Sequence, residues 1–330
     1  MGKRAVLLML AAALVFCPGC WNYREINSTT FVAGAAIDLD PQGGYILTAE
    51  IIDFTSTTLD SAPRASLVTA RGASIAEAAD AAVRSAGKRL YRSHAAAFIV
   101  SRGFAEAGIE PLLDFLLHNV DTCLVASLLV SGLPTAREVF ELRHVSRGTV
   151  SYEIRSVLEN NAFFSQSVAD FAYASIRDFM TSGACAALSL VSSCEQSGEH
   201  YLDVSGCAVF DGTRMAGTLD GAETTLLLAL RGQQLGSTLS VTLPDGTPYT
   251  LRFVHTRVDR APALTEDGRL RMNVTLYADM VVTSAGTLGR RMESSVYRAL
   301  ERAAEERVTA ELSAMARRTQ ELGLDLFGFG

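Results

Sequence analysis

Apolar and polar residues fall into short blocks along this chain, and the blocks predict alternating strands and helices. The partly alternating apolar runs at residues 31–38 and 45–53 flank a turn-forming stretch and predict a β-hairpin. Ser74 followed by Glu77 is a capping box, and the apolar residues behind it recur at helical spacing until Gly87. The first part of the chain therefore predicts a sheet with helices packed on it.

The rest of the first half continues the same alternation. Strands are predicted at residues 66–70, 95–101 and 122–131, and helices at 104–118, 135–142, 152–161 and 168–180. The run 122–131 is apolar throughout, which is typical of a strand in the middle of a sheet. Residues 145–182 are predicted to be mainly helical, as a possible sub-region of an N-terminal domain.

The pattern changes after about residue 183 and becomes strand-rich. Strands are predicted at 186–193, 200–210, 238–243, 249–258 and 270–282, with one helix at 222–230 and a long helix at 288–322. The apolar stripe of the long helix follows a helical rather than a heptad repeat, so we expect the helix to cover the antiparallel sheet and not to join a coiled coil.

These elements predict a multi-domain α+β fold. Each domain has a central mixed or antiparallel sheet flanked by helices, and the long helix ends the chain. The expected units are a leader at 1–19, an N-terminal α/β domain at 20–182 and a C-terminal α+β domain at 183–330. The length of 330 residues is enough for two or three domains.

The N-terminus has the pattern of a secretory signal. Lys3 and Arg4 precede a run of about a dozen apolar residues, which is too short to span a membrane because a span needs ~20 such residues. Gly19 followed by Cys20 at the end of that run is typical of a lipoprotein processing site. We therefore expect a signal peptide at residues 1–19, with Cys20 as the lipidated (palmitate-type) first mature residue outside the cytoplasmic membrane.

Charge and composition argue against some classes of protein. Hydrophobic residues make up 48% and charged residues 20%, which is typical of a globular protein. The net charge is −7 and no basic block occurs, so the sequence argues against a nucleic-acid partner. Without a cluster of basic residues, the chain has no electrostatic attraction to anionic lipids that would reinforce a lipid anchor. The attached lipid would have to hold the protein on the membrane by itself.

The sequence lacks a recognisable catalytic, cofactor or metal motif. Its five histidines are scattered, and the Ser85–Lys88 tetrad, which matches the S-x-x-K of penicillin-recognising enzymes, has no partner motifs and contains Gly87 where its helix should end. Cys185 and Cys194 flank a predicted strand that would hold them ~25 Å apart, so buried free thiols are favoured over a disulfide. We expect no enzyme, no cofactor and no metal.

Ordered stretches of the chain resemble the Ger(x)C family, the lipoprotein C subunits of spore germinant receptors in endospore-forming Firmicutes. The resemblance rests on residues 19–27, 31–38, 70–72, 94–101, 113–117, 206–211, 217–221 and 326–330. Two positions depart from the family pattern. Asn22 replaces the usual aspartate after the Cys-Trp pair, and Cys17 stands where an aliphatic residue is normal.

The resemblance implies a non-catalytic subunit that works with two membrane-embedded subunits, A and B, in nutrient-triggered germination at the outer face of the spore inner membrane. Cys20 would carry the lipid, and Trp21, Arg24 and Glu25 would form a membrane-proximal motif. Trp21 suits the headgroup region of a membrane, although the segment could also dock on the fold or form a leader without a fixed partner.

Two other classes of protein remain open from the sequence. A lipid-anchored solute-binding protein would capture the germinant directly and would need a large cleft with convergent polar groups. A cell-wall enzyme would need a nucleophile and a base, and the sequence shows no such set.

Overall fold

The computed structural model of the protein describes most of the chain downstream of residue 28. The described residues are 2–3, 29–53, 64–119, 121–122, 125–143, 148–169, 172–181, 185–233, 236–285, 292–321 and 323–327. The predicted leader and Cys20 lie outside the described residues, apart from residues 2–3.

A large mixed sheet dominates the described chain. Its ten strands are β1 (Thr29–Leu39), β2 (Tyr45–Asp53), β3 (Arg64–Gly72), β4 (Arg89–Tyr91), β5 (Ala97–Val100), β6 (Ser127–Ser131), β7 (Ala187–Gln196), β8 (Glu199–Asp203), β9 (Cys207–Asp211) and β10 (Arg214–Leu219). The strand order is β10-β9-β7-β6-β5-β1-β2-β3, with β4 beside β1 and β8 beside β7. Four parallel strands, β1, β5, β6 and β7, form the centre, and antiparallel pairs lie on both sides.

Helices cover both faces of this sheet. Their bounds are α1 (Ile75–Ala86), α2 (Arg102–Ala107), α3 (Glu110–His118), α4 (Val150–Glu159) and α5 (Ala172–Met180). One face packs against α1, α2, α3 and α5 around Phe98, Phe104 and Phe210. The other face packs against α4 and a short 3-10 helix, Arg137–Glu141. The central strands are therefore buried on both sides, as the apolar sequence of β6 predicts.

A second, three-stranded antiparallel sheet follows in the described chain. It consists of β11 (Thr238–Thr242), β12 (Pro248–Leu264) and β13 (Leu270–Ser284), and it packs with α6 (Gly221–Leu230) and α7 (Ser294–Glu321). The apolar stripe of α7 belongs to the same core as Leu251 and Phe253 of β12. The prediction that the long helix covers this sheet is confirmed.

The α+β class is confirmed, and the differences from the predicted elements are local. The predicted helix at 104–118 divides at Gly108, an interruption that Gly108 and Pro111 indicate in the sequence, and Gly108 adopts a φ of 124° between the two helices. The predicted strand at 200–210 is β8 and β9, which are separated by the irregular residues 204–206, where Gly206 has a φ of 84°. The segment 135–142 forms a 3-10 helix, and β4 and β10 are additional strands. Strand β12 extends six residues beyond its predicted end at 258. These residues pair with β13 and are largely exposed.

The large sheet continues across the predicted domain boundary at residue 183. Strands β7, β8, β9 and β10 follow that position, and β7 pairs in parallel with β6. The division of the chain at 183 stays a prediction.

Gly34 provides a test of how closely the sheet and α4 pack. A Cβ at this position of β1 would lie 2.7 Å from the carbonyl oxygen of Ala97 and would overlap the side chain of Ser151. We expect Gly34→Ala to lower the free energy of unfolding by ~1–3 kcal/mol through overpacking. Urea denaturation of the purified chain measures the change.

Gly103→Ala is the matched control, because a Cβ on this α2 residue meets nothing within 4 Å. The control should be neutral or more stable by up to ~1 kcal/mol. Equal stability of the two variants would contradict the close packing at Gly34.

Candidate functional site

The residues that the sequence singles out, Cys20, Trp21, Arg24 and Glu25, lie outside the described residues. The first described residue of β1 is Thr29, nine positions after Cys20. A chain segment of this length spans at most ~30 Å when fully extended. The start of β1 therefore lies within ~30 Å of Cys20.

Aromatic side chains group together at this end of the sheet. Strand β4 pairs with the first residues of β1, and the ring of Phe31 contacts that of Tyr91 edge-on at a centroid distance of 5.7 Å. His94 lies 5.6 Å from the Tyr91 ring, and the hydroxyl of Tyr152 donates to the His94 carbonyl at 3.2 Å. These contacts join β1, β4 and α4, so the chain that leaves the predicted anchor enters a packed part of the fold.

Cationic side chains near the same end are held by local contacts. The guanidinium of Arg89 pairs with Asp121 at 2.6 Å. The guanidinium of Arg92 lies over the ring of Phe115 at 5.5 Å, and burial lowers its pKa. A half-buried arginine over an aromatic ring stabilises the fold through cation–π attraction.

Glu50 of β2 is the most deeply buried carboxylate that the structure describes, with 1% of its surface exposed. Its two oxygens accept the backbone N–H groups of Val150 at 2.8 Å and Ser151 at 2.9 Å, and the Ser151 hydroxyl at 2.5 Å. These N–H groups belong to the first turn of α4, which has no intrahelical acceptors and carries positive partial charge. Through these hydrogen bonds Glu50 connects the start of α4 to strand β2 of the sheet.

Asp38 of β1 makes a similar connection. It accepts the backbone N–H groups of Ala136 at 2.7 Å and Arg137 at 3.3 Å, at the start of the 3-10 helix. Burial raises the pKa of Asp38, and the two backbone hydrogen bonds oppose that rise. Asp38 and Glu50 together hold two helical segments on one face of the large sheet.

Sequence reasoning missed both carboxylates, although each leaves a signal. Asp38 ends an apolar run and Glu50 interrupts one, so each is an acidic residue at a position where a buried strand expects an apolar side chain. Such a residue needs donors to be buried. The donors lie about 100 positions later in the chain, which no local pattern shows.

The three described cysteines are free thiols: Cys185, Cys194 and Cys207. The expectation that Cys185 and Cys194 do not bridge is confirmed, but both are half-buried rather than buried. Cys207 is fully buried on β9, and burial raises the pKa of its thiol to about 11. A thiol with such a pKa is a poor nucleophile and metal ligand at neutral pH.

Helix α1 ends at Ala86, inside the S-x-x-K match. Gly87 takes the left-handed conformation with a φ of 62° and caps the helix, as predicted, so Lys88 does not continue the helix of Ser85. Among the described residues, no group of three or more His, Cys, Asp and Glu side chains could hold a metal ion. In the same residues, no helix has both the length and the apolar character to cross a membrane.

Comparison with known families assigns almost the whole described fold. Residues 22–193 match the family described as spore germination protein N-terminal domain, and residues 205–330 match the spore germination B3/GerAC-like C-terminal family. The chain belongs to the Ger(x)C family of spore germination proteins. This confirms the resemblance predicted from the sequence, and it places the chain among C-subunit homologues of germinant receptors.

Relatives in Bacillus subtilis (strain 168) agree with this assignment. YfkR, which is provisionally named as a spore germination protein, is 23% identical, and the alignment covers 99% of this chain and 86% of YfkR. Spore germination protein KC is 28% identical over 124 residues, which are 36% of this Ger(x)C chain and 29% of that protein.

The crystal structure of the GerBC protein has a similar fold. It matches 90% of this chain and 85% of its own chain with a TM-score of 0.54 and 14% sequence identity. At this identity the likeness supports the fold alone.

The buried carboxylate of Glu50 generates a stability prediction. Glu50→Gln leaves one oxygen for three donors and turns an amide N–H toward them, so we expect the free energy of unfolding to fall by ~1–3 kcal/mol. Glu77→Gln is the matched control, because Glu77 is exposed and accepts one backbone N–H from Ala73 at 2.9 Å. Urea denaturation should show a smaller loss of unfolding free energy for Glu77→Gln than for Glu50→Gln. Equal losses would contradict the proposal that Glu50 connects α4 to the sheet.

The raised pKa of Asp38 predicts a dependence on pH. A folded-state pKa above the ordinary 3.8 means that the folded protein binds the proton more tightly than the unfolded chain does. The stability that Asp38 contributes is therefore full below pH 3.8 and is lost as the pH rises through the folded-state value.

Denaturation of the native chain and of Asp38→Asn, at several pH values from acid to neutral, measures this effect. The stability of the native chain relative to the variant should decrease as the pH rises. An increase with pH would show that the backbone hydrogen bonds outweigh burial at this carboxyl.

Proposed function

We propose that this chain is a non-catalytic, lipid-anchored subunit of a nutrient germinant receptor. Its lipid is attached to Cys20 and holds the protein on the outer face of the spore inner membrane. It acts in germination through protein–protein contacts with the membrane-embedded A and B subunits. The observation that carries the proposal is the family assignment of residues 22–193 and 205–330, which begins two positions after the predicted lipidation site.

The leader pattern supports the anchor. Two basic residues, an apolar run too short to span a membrane and the Gly19–Cys20 junction occur in the order that lipoprotein processing needs. The interval from Cys20 to Thr29 is short, so a lipid at Cys20 would keep the start of β1 within ~30 Å of the membrane surface.

The non-catalytic role is supported by what the chemically capable side chains do. Asp38 and Glu50 are occupied by backbone donors at the starts of two helical segments. Cys207 lies in the core with a hydroxyl of Thr224 at 3.4 Å from its sulfur. These groups stabilise the fold. We therefore expect the protein to act through contacts made by its surface.

Cys20→Ala tests the anchor. The variant should fold normally but move from the membrane fraction to the soluble fraction, and spores that carry it should germinate more slowly in response to nutrients. Cys194→Ala is the matched control, since it removes a half-buried thiol elsewhere and should leave both attachment and germination unchanged. A Cys20→Ala variant that stays membrane-bound and fully responsive would refute the anchor.

The partners are tested with the native chain. Solubilised in mild detergent, it should co-purify with the A and B subunits. Elution of the chain alone under these conditions would count against the receptor assembly, whatever the result for the anchor.

A further inference from the structure

A long open groove runs between β13 and α7. One part of it encloses about 790 Å³ and the next part about 910 Å³, and the two parts share Leu276 and Val308. Its floor is apolar and is formed by half-buried side chains from both elements, among them Leu276, Met280, Val282, Val308 and Leu312, together with Met292 just before α7.

One side of the groove is the free edge of a strand. Strand β13 pairs with β12 through most of its 15 residues, and no other strand of the described chain pairs with it. Its outer row of backbone N–H and C=O groups is therefore open to a further strand. Proteins usually protect such an edge by keeping it short or by placing Lys or Pro on it, but β13 is long and contains neither.

Some of the exposed residues of β13 are apolar, and they lie among polar ones such as Arg271, Asn273 and Asp279. Tyr277 and Val281 of β13 are 48% and 50% exposed, and Tyr297 of α7, across the groove, is 48% exposed. An extended segment lying along β13 would pair with its backbone and could place alternate side chains on the groove floor.

The charge of the groove indicates what kind of segment fits. Among the described residues that line the first part, the charged side chains are Asp279, Glu301 and Glu305, and all three are acidic. The second part is mixed, with Asp267 and Asp325 against Arg269 and Arg271, so the acidic character is confined to the first part. An incoming strand with basic residues between its apolar ones would complement them. A second copy of this chain would instead set one acidic rim against another.

We propose that the groove binds an extended segment of a partner protein in which cationic and apolar residues alternate, and that the segment adds to β13 as a further strand. The inference deepens the proposed function, on which it rests for the expectation that the protein works through a protein partner. It names the surface that makes one such contact.

The test uses a fluorescently labelled ten-residue peptide of alternating valine and arginine, with the full chain purified in detergent. Anisotropy should show saturable binding, and Glu305→Lys should weaken it on the order of fivefold. Glu306→Lys is the matched control. It makes the same charge change on the next residue of α7, is exposed and does not line the groove, so binding should change less than twofold.

Several results would overturn the proposal. Equal weakening by the two variants would mean general attraction to an acidic protein, and absence of saturable binding would remove the site. A valine–glutamate peptide that binds as tightly would refute the charge argument. A dimer of the native chain that Glu305→Lys dissociates would assign the groove to a second copy. None of these results depends on Cys20, so failure of the groove and failure of the anchor are distinguishable.

Discussion

The fold depends most on the contact between Glu50 and the first turn of α4. A carboxylate with 1% exposure is costly to bury unless donors surround it, and here three donors from Val150 and Ser151 do so. The same contact explains Gly34 on the neighbouring strand, because a larger residue there would meet Ser151. The Glu50 contact and the small residue at Gly34 thus belong to the same close approach of α4 to the sheet.

Asp38 repeats this arrangement on the same face of the sheet, so two acidic residues near the start of the chain receive segments about 100 positions later. The central strands pair in parallel, and parallel neighbours require crossovers that helices provide. Both carboxylates bind segments of one such crossover, the connection from β6 to β7. Acidic side chains that would suggest catalysis in an enzyme serve here to attach helices.

The two surfaces proposed for function belong to different parts of the fold. The start of β1 is tied by the rings of Phe31, Tyr91 and His94 and is close in sequence to the proposed anchor at Cys20. The β13–α7 groove lies in the other core, with the smaller sheet. A subunit of this design can be held at a membrane by one element and contact another protein through a different one.

The local sequence was sufficient for the N-cap at Ser74, the hairpin of β1 and β2, the buried β6 and the apolar stripe of α7, because each depends on periodicity and on neighbouring residues. The reciprocal bond of the predicted capping box differs, because Glu77 accepts from the N–H of Ala73 and not of Ser74. The local sequence also carried the family resemblance. Tertiary structure alone decided the continuation of one sheet past residue 183, the partners of Asp38 and Glu50, and the open edge of β13. These features depend on residues that are distant in sequence, and a local pattern does not record which strand or donor lies beside which.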